Sequence, residues 1–255
     1  MDAPSTAPKA RRWLPFWAVL MTDFRQTTRS WVYRLWVLVS ALTALGYVLY
    51  RVGVHREADI VQHASVLTGD LLQGMVLGSL ALIVVLSVGG IAAERGSLAD
   101  SVLSRGISRF QYFLAKFHAR LGAVLLTTVT LGSLVLLSSH FLLDEDLTLK
   151  GGVAGLLTVA ALLSVVVSWG VAIGAVSNGT VIGITALWVI LYGSGFLLTL
   201  LPAPYPSPER LMEEMPRTLR GQFDTWSLIY LFGGATLLTG VAVVGGMFGF
   251  ARKDV

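Results

Sequence analysis

His55, Asp59 and His63 stand four residues apart in the stretch Val54-His-Arg-Glu-Ala-Asp-Ile-Val-Gln-His63. On a helix, that spacing would bring imidazole, carboxylate and imidazole to one face, a donor set suited to Zn²⁺ or Cu²⁺. Spacing of this kind is more often a solvated turn with scattered histidines, so no metal is expected, and these three are the candidates should one bind. His140 with Asp144, Glu145 and Asp146 is a looser grouping of the same type. Glu213-Glu214 with Arg217 is a carboxylate pair of the sort used in general acid–base work. It lies in a Pro-bounded loop with no His partner inside an apolar run, and no HExxH or GxSxG accompanies it. No catalytic residue is expected in the chain. There is no cysteine, so thiolate ligands, Cys nucleophiles and disulfides are excluded.

The elements that must position these groups are set by composition. Of the 255 residues, 55% are hydrophobic and 13% charged, a balance of integral membrane proteins. Crossing a hydrocarbon core of about 30 Å takes about 20 helical residues. Six runs reach that length: 31–50, 71–93, 112–138, 152–176, 180–201 and 226–250. The expected fold is all-α: a single six-span permease-like domain over 1–255, with a tail and interfacial helix at 1–30, the bundle at 31–250 and a short tail at 251–255. An even count puts both termini on one side. All but six of the 19 Lys and Arg fall in the termini or in 94–120, the exceptions being Arg51, Arg56, Lys150, Arg210, Arg217 and Arg220. By the positive-inside rule, both termini are then cytoplasmic, and the chain is a multi-pass protein of the cytoplasmic (inner) membrane. Its basic balance answers an anionic lipid leaflet, and nucleic acid is not expected as a partner. The opening MDAPSTAPKARRWLPFW has no apolar run directly after its basic residues, and an uncleaved start is expected.

Ahead of the first span, Trp13, Trp17, Leu20, Met21 and Phe24 gather on one helical face, with Arg12, Asp23, Gln26 and Arg29 on the other. This predicts a helix lying in the membrane interface. GxxxG spacings at Gly74/Gly78, Gly151/Gly155, Gly170/Gly174, Gly179/Gly183 and Gly245/Gly249 allow close helix approach, although many pairs arise by chance among 27 glycines. No Asp, Glu, Lys or Arg occurs in 121–143 or 151–201. Ion-coupled carriers relay ions through intramembrane carboxylates, and channels use charged rings or carbonyl filters, so neither class is expected.

Between spans two and three, AAERGSLADSVLSRGISRFQYFLAKF occupies 92–117. Glu94-Arg95-Gly96 ends the second span, and Gly96 suits a left-handed cap. Leu98, Val102 and Leu103 give the next short helix an apolar side, Asp100 and Arg105 a polar one, and Gly106 stops it. Ser108-Arg-Phe-Gln111 fits a capping box, starting the third span. The outcome is a helical elbow on the cytoplasmic face, shaped for another protein's groove. Arg105 and Arg109 could meet that partner or lipid phosphate, while Lys116 and Arg120 are expected mainly at lipid phosphate. His118 is expected at the interface.

Glu94, Arg95, Gly96, Ser97, Leu98, Val102, Leu103, Ser104, Arg105, Ser108, Arg109 and Lys116 together resemble the corresponding loop of bacterial type-2 ABC exporter permeases, six-span subunits with the type V exporter fold. The C-terminal Phe250-Ala-Arg-Lys-Asp254-Val resembles the short tail of that family. Gly106 stands where the family often has Pro. The resemblance implies a coupling helix over about 96–104, with Glu94, Arg95, Gly96, Leu98, Val102, Leu103 and Arg105 as ATPase-coupling residues. It implies two copies of a separate ABC ATPase that bind ATP and Mg, and a second permease chain, most simply an identical one. The chain has no GxxxxGK[ST] loop, so it is not itself expected to be an enzyme. Apolar walls dotted with Gly, Ser and Thr suit export of a lipid-like or amphipathic cargo. The alternative is a mechanical or signalling subunit that transmits ATPase strokes to an extracytoplasmic partner without moving cargo.

One outer segment is long enough to matter, Pro202-Ala-Pro-Tyr-Pro-Ser-Pro-Glu-Arg-Leu-Met-Glu-Glu-Met-Pro-Arg217. Ser207 and Pro208 should start a short helix as N-cap and first residue. Leu211, Met212 and Met215 would rest on the outer interface or cover the bundle, as a plain connector, a lid, or a docking site for an extracytoplasmic protein.

Overall fold

The computed structural model describes residues 13–57, 63–92, 107–143, 146–200 and 208–252. Among them lie α1 (Leu14–Arg29), α2 (Trp31–Glu57), α3 (Ala64–Ala92), α4 (Arg109–Leu142), α5 (Leu149–Val176), α6 (Thr180–Thr199), α7 (Pro208–Glu213), α8 (Met215–Leu219) and α9 (Thr225–Arg252). Six of these, α2 to α6 and α9, are long and apolar enough to cross a bilayer. The fold is that of an all-α, six-span membrane protein.

Local chemistry sets the boundaries. Ser30 both closes α1 and opens α2: its hydroxyl donates to Thr27 O at 2.7 Å and accepts from Tyr33 N at 3.2 Å, while its own backbone is extended. Ser108 caps α4 by accepting from Gln111 N at 3.2 Å, as the capping box predicts, and Thr148 caps α5 from Gly151 N at 3.0 Å. Asp224 does the same for α9, accepting from Ser227 N at 3.1 Å and Ser227 Oγ at 3.0 Å.

α3 and α5 form the centre. Between apolar helices in lipid there is no hydrophobic drive, so close packing of small residues has to hold them. A Cβ on Gly170 would sit 2.5 Å from Ser87 Cβ, and one on Gly174 2.5 Å from Val88 O, so α5 lies backbone to backbone on α3. α9 follows by the same device, Gly246 against Ala172 Cα at 2.8 Å. Gly74 and Gly78 share the spacing but have open space where a Cβ would be. α2, α6 and α9 present mostly exposed apolar side chains, among them Leu42, Leu49, Val189, Phe196, Leu237 and Phe248, as lipid-facing helices do.

The two ends of the bundle differ. One, the elbow end, holds α1, the end of α3, the start of α4 and the end of α9. The other, the cap end, holds the described ends of α2 and α4 and the starts of α3 and α5, with α7 and α8. α3 begins seven residues before its predicted start, because Ala64, Ser65, Thr68 and Gly69 are buried at the cap end and need no lipid to surround them.

Candidate functional site

The elbow end carries a buried charge cluster. Asp23, about two turns into α1, is 3% exposed. Lys116 Nζ donates to its Oδ1 at 3.0 Å, Arg120 Nη2 donates to Oδ1 at 3.2 Å, and Arg120 Nε lies 3.2 Å from Oδ2. Lys116 and Arg120 are one turn apart on α4, so both reach the same carboxylate. Two cations on one anion leave an excess of positive charge in a buried place, which is costly without further acceptors. α3 supplies one: Lys116 Nζ also donates to Gly90 O at 3.1 Å. Gly90 lies near the end of the described part of α3. A Cβ at Gly90 would lie 2.7 Å from Arg120 Nε, so any side chain there would displace the guanidinium from its present place on Asp23.

The cluster continues into α9. The Lys116 ammonium sits 5.3 Å over the Tyr112 ring, and Tyr112 stacks on Phe250 with centroids 5.9 Å apart. Arg109 Nη1 donates to Ala251 O at 2.9 Å. The loop motif residues Arg109 and Lys116 and the tail residue Phe250 therefore meet at one end of the molecule, although the sequence separates loop from tail by more than a hundred residues.

Glu94, Arg95, Gly96, Leu98, Val102, Leu103 and Arg105 lie outside the described residues. The helices on both sides of them, α3 up to Ala92 and α4 from Arg109, are described, and both are tied to α1 through Asp23. Two expectations change here. Lys116 and Arg120 are not at lipid phosphate: both are buried and paired with Asp23 within the protein. Asp23 does not belong to a water-facing side of α1. Asp23 turns inward with Thr27 buried beside it, Gln26 and Arg29 stay exposed, and Trp13, Trp17 and Met21 point away from the bundle, as a helix in the membrane interface requires. His118 is exposed and packs edge-on to Phe16 of α1 at 5.9 Å.

At the cap end, His55 lies in α2, which is described as far as Glu57, and His63 lies outside a helix, one residue before α3. Asp59 is outside the described residues, as are Asp144 and Glu145. Among the described residues no three His, Cys, Asp or Glu side chains converge on a metal position. Asp146 instead joins separate elements. It accepts from Ser65 N at 2.8 Å, Ser65 Oγ at 2.5 Å and Arg220 Nε at 3.0 Å, with His63 Nδ1 3.7 Å away. Burial would raise its carboxyl, but the Ser65 hydroxyl, the Ser65 backbone N–H and the Arg220 guanidinium outweigh that and hold it below the ordinary carboxylate range. A second link joins α2 to α3: Asp70 accepts from Tyr47 Oη at 2.8 Å and from Arg51 at 2.9 Å.

These links frame a cap made by α7 and α8. Met212, Met215 and Leu219 are buried in the main core, so the segment docks into the bundle and does not merely rest on an interface. Three glycines make the seat. Pro216 covers Gly69, the Leu219 backbone crosses Gly151, and Met215 and Leu219 fill the space over Gly155. Thr148 N donates to Leu219 O at 3.1 Å and anchors the end of α8. Glu213, Glu214 and Arg217 face outward from the cap.

The chain is thus a multi-pass membrane protein in which α3 runs from a charge-clamped end to a capped end. Comparison with known protein families and with curated proteins finds no matching family model and no matching protein.

Proposed function

We propose that the chain is the membrane subunit of an ATP-driven exporter of the ABC type, energised by a separate ATPase that docks on the elbow at 94–105 and carries ATP and Mg. The observation that supports this most is the convergence at the elbow end. Lys116 of the loop pattern pairs with Asp23 of α1 and bonds Gly90 O of α3, its ammonium lies over Tyr112, which stacks on Phe250 of the tail pattern, and Arg109 bonds Ala251 O, so α1, α3 and α9 are each tied to α4. A push on the elbow is delivered to α3 and α4 at their ends, and the buried cluster makes α1 and α9 move with them. α3 carries the displacement to its other end, where Gly69 and Ser65 hold the cap. An elbow docked on an ATPase and a cap over the far end are the two parts that alternating access needs. In this reading the cap end is extracytoplasmic, the termini are cytoplasmic, and two chains pair through lipid-facing helices to enclose a cargo of lipid-like or amphipathic character.

The test is co-expression with the ATPase encoded beside its gene, followed by purification in nanodiscs. Co-purification and coupled ATP hydrolysis are expected for the wild type, with both lost in Leu98→Asp/Val102→Asp while the six-span fold is retained. A wild-type chain that recruits no ATPase, or a double mutant that keeps full coupling, would sink the reading.

A further inference from the structure

A hollow of about 170 Å³ opens in the seam between α2, α3 and α4, at the middle of α3, in the first half of α2 and in the second half of α4. Trp36 and Leu72 form part of its wall, Leu131 and Val135 another, and the polar residues that line it are Ser40, Thr43 and Ser79 beside the amphipathic Trp36. No charged residue reaches it. Its rim at Val39, Thr43, Gly74 and Gly78 is exposed, so it opens sideways between α2 and α3, towards the surroundings of the bundle and not towards either end.

The hollow is maintained by glycine. Gly74 and Gly78 both line it, one turn apart on α3, and neither has an atom within 4 Å of where a Cβ would be. At Gly170 and Gly174 the same spacing is used to bring two helices together, whereas here it keeps a space open. An apolar void at mid-membrane depth does not hold water, and left empty its walls would lose dispersion contacts. Its size is close to that of an apolar cavity of about 150 Å³ that takes up benzene, so it holds a segment of about six carbons. At that depth the neighbour in contact with the rim is lipid hydrocarbon.

We propose that this seam binds the middle of one acyl chain of a bilayer lipid, which inserts between α2 and α3 over Gly74 and Gly78 and completes the packing of α2. The inference rests on the six-span fold and is independent of the transport reading.

The probe is a phosphatidylcholine with a diazirine midway along one acyl chain, incorporated into nanodiscs with the full-length protein, photolysed, and mapped by peptide mass spectrometry. Labelling is expected to concentrate on 39–44 and 74–82, several-fold above the lipid-facing control positions Leu237 and Val241 of α9. Gly78→Leu should abolish the excess and leave the α9 labelling unchanged. Thr43→Phe fills the seam from α2 and should do the same, so the test survives if one variant fails to fold. Equal labelling of seam and controls, or an excess that persists in both filled variants, overturns the proposal. So does a seam labelled only in discs holding one copy and silent in discs holding two, which would give the site to a second chain.

Discussion

The Lys116 ammonium reaches across 93 residues of sequence to lie 3.0 Å from Asp23 Oδ1, both side chains almost wholly buried. That contact fixes a helix outside the six spans to the third of them. It also pairs Asp23 with a second buried cation, Arg120, so its removal is expected to cost far more than the loss of an exposed pair. Asp23→Ala should destabilise by about 3–5 kcal/mol, because Lys116 and Arg120 are left buried without their counter-charge. Thermal unfolding in nanodiscs reads this. Asp23→Leu/Lys116→Met/Arg120→Met should recover much of the loss. A single Asp23→Ala variant as stable as the wild type would show the cluster open to water.

Much of this end was legible in part only. The Ser108 cap, the start of α4 and the interfacial character of α1 follow from local spacing, since each is decided within one or two helical turns. The partner of Lys116 and Arg120 is not local. Two cations one turn apart at a membrane boundary read as a phosphate site, and an acid on an amphipathic helix reads as water-facing. Only the long-range placement of α1 on α4 reverses both. The sequence holds one weak signal of that burial: Thr27 follows Asp23 at i+4, and Phe16, Val19 and Leu20 precede it on the same helical face, which carries no other charge within α1.

Gly174 should be intolerant where Gly240 is not. The first has the Val88 carbonyl 2.5 Å from a would-be Cβ, and that neighbour is backbone and cannot swing aside; the second has open space. Gly174→Leu should cost about 3 kcal/mol or prevent folding, and Gly240→Leu should change stability by less than about 0.5 kcal/mol. Unfolding midpoints of the two variants, compared in the same lipid, check the asymmetry.

The cap should behave as core. Leu219→Ala removes a side chain with no exposed surface from between α3 and α5, and a loss of about 2–5 kcal/mol is expected. Glu213→Ala, on the outward side of the same segment, should be nearly silent. Denaturation of the two variants decides between a docked plug and an interfacial connector. The prolines and the amphipathic pattern announced a short helix in this segment. Its seat was hidden, because Gly69, Gly151 and Gly155 come from two other helices and only the fold brings them under Met215, Pro216 and Leu219.

Acid should loosen that seat through Asp146. Its carboxyl is held below the ordinary value of 3.8 by Ser65 and Arg220 against the opposing effect of burial. A carboxylate whose folded-state pKa is depressed adds stability that is fully present above the unfolded value and disappears as pH falls through the folded one. The contribution is therefore flat from neutral pH down to about 5, and begins to fall only near and below 3.8. Hydrogen exchange at Thr148 N, which donates to Leu219 O, reports whether the end of α8 is seated. Its protection should be constant at neutral and mildly acidic pH and drop in the acid window. Asp146→Asn should show weaker protection at neutral pH and a shallower acid drop, since Arg220 then faces no charge. Protection that stays unchanged through the acid window in the wild type would remove Asp146 as the group that holds the cap.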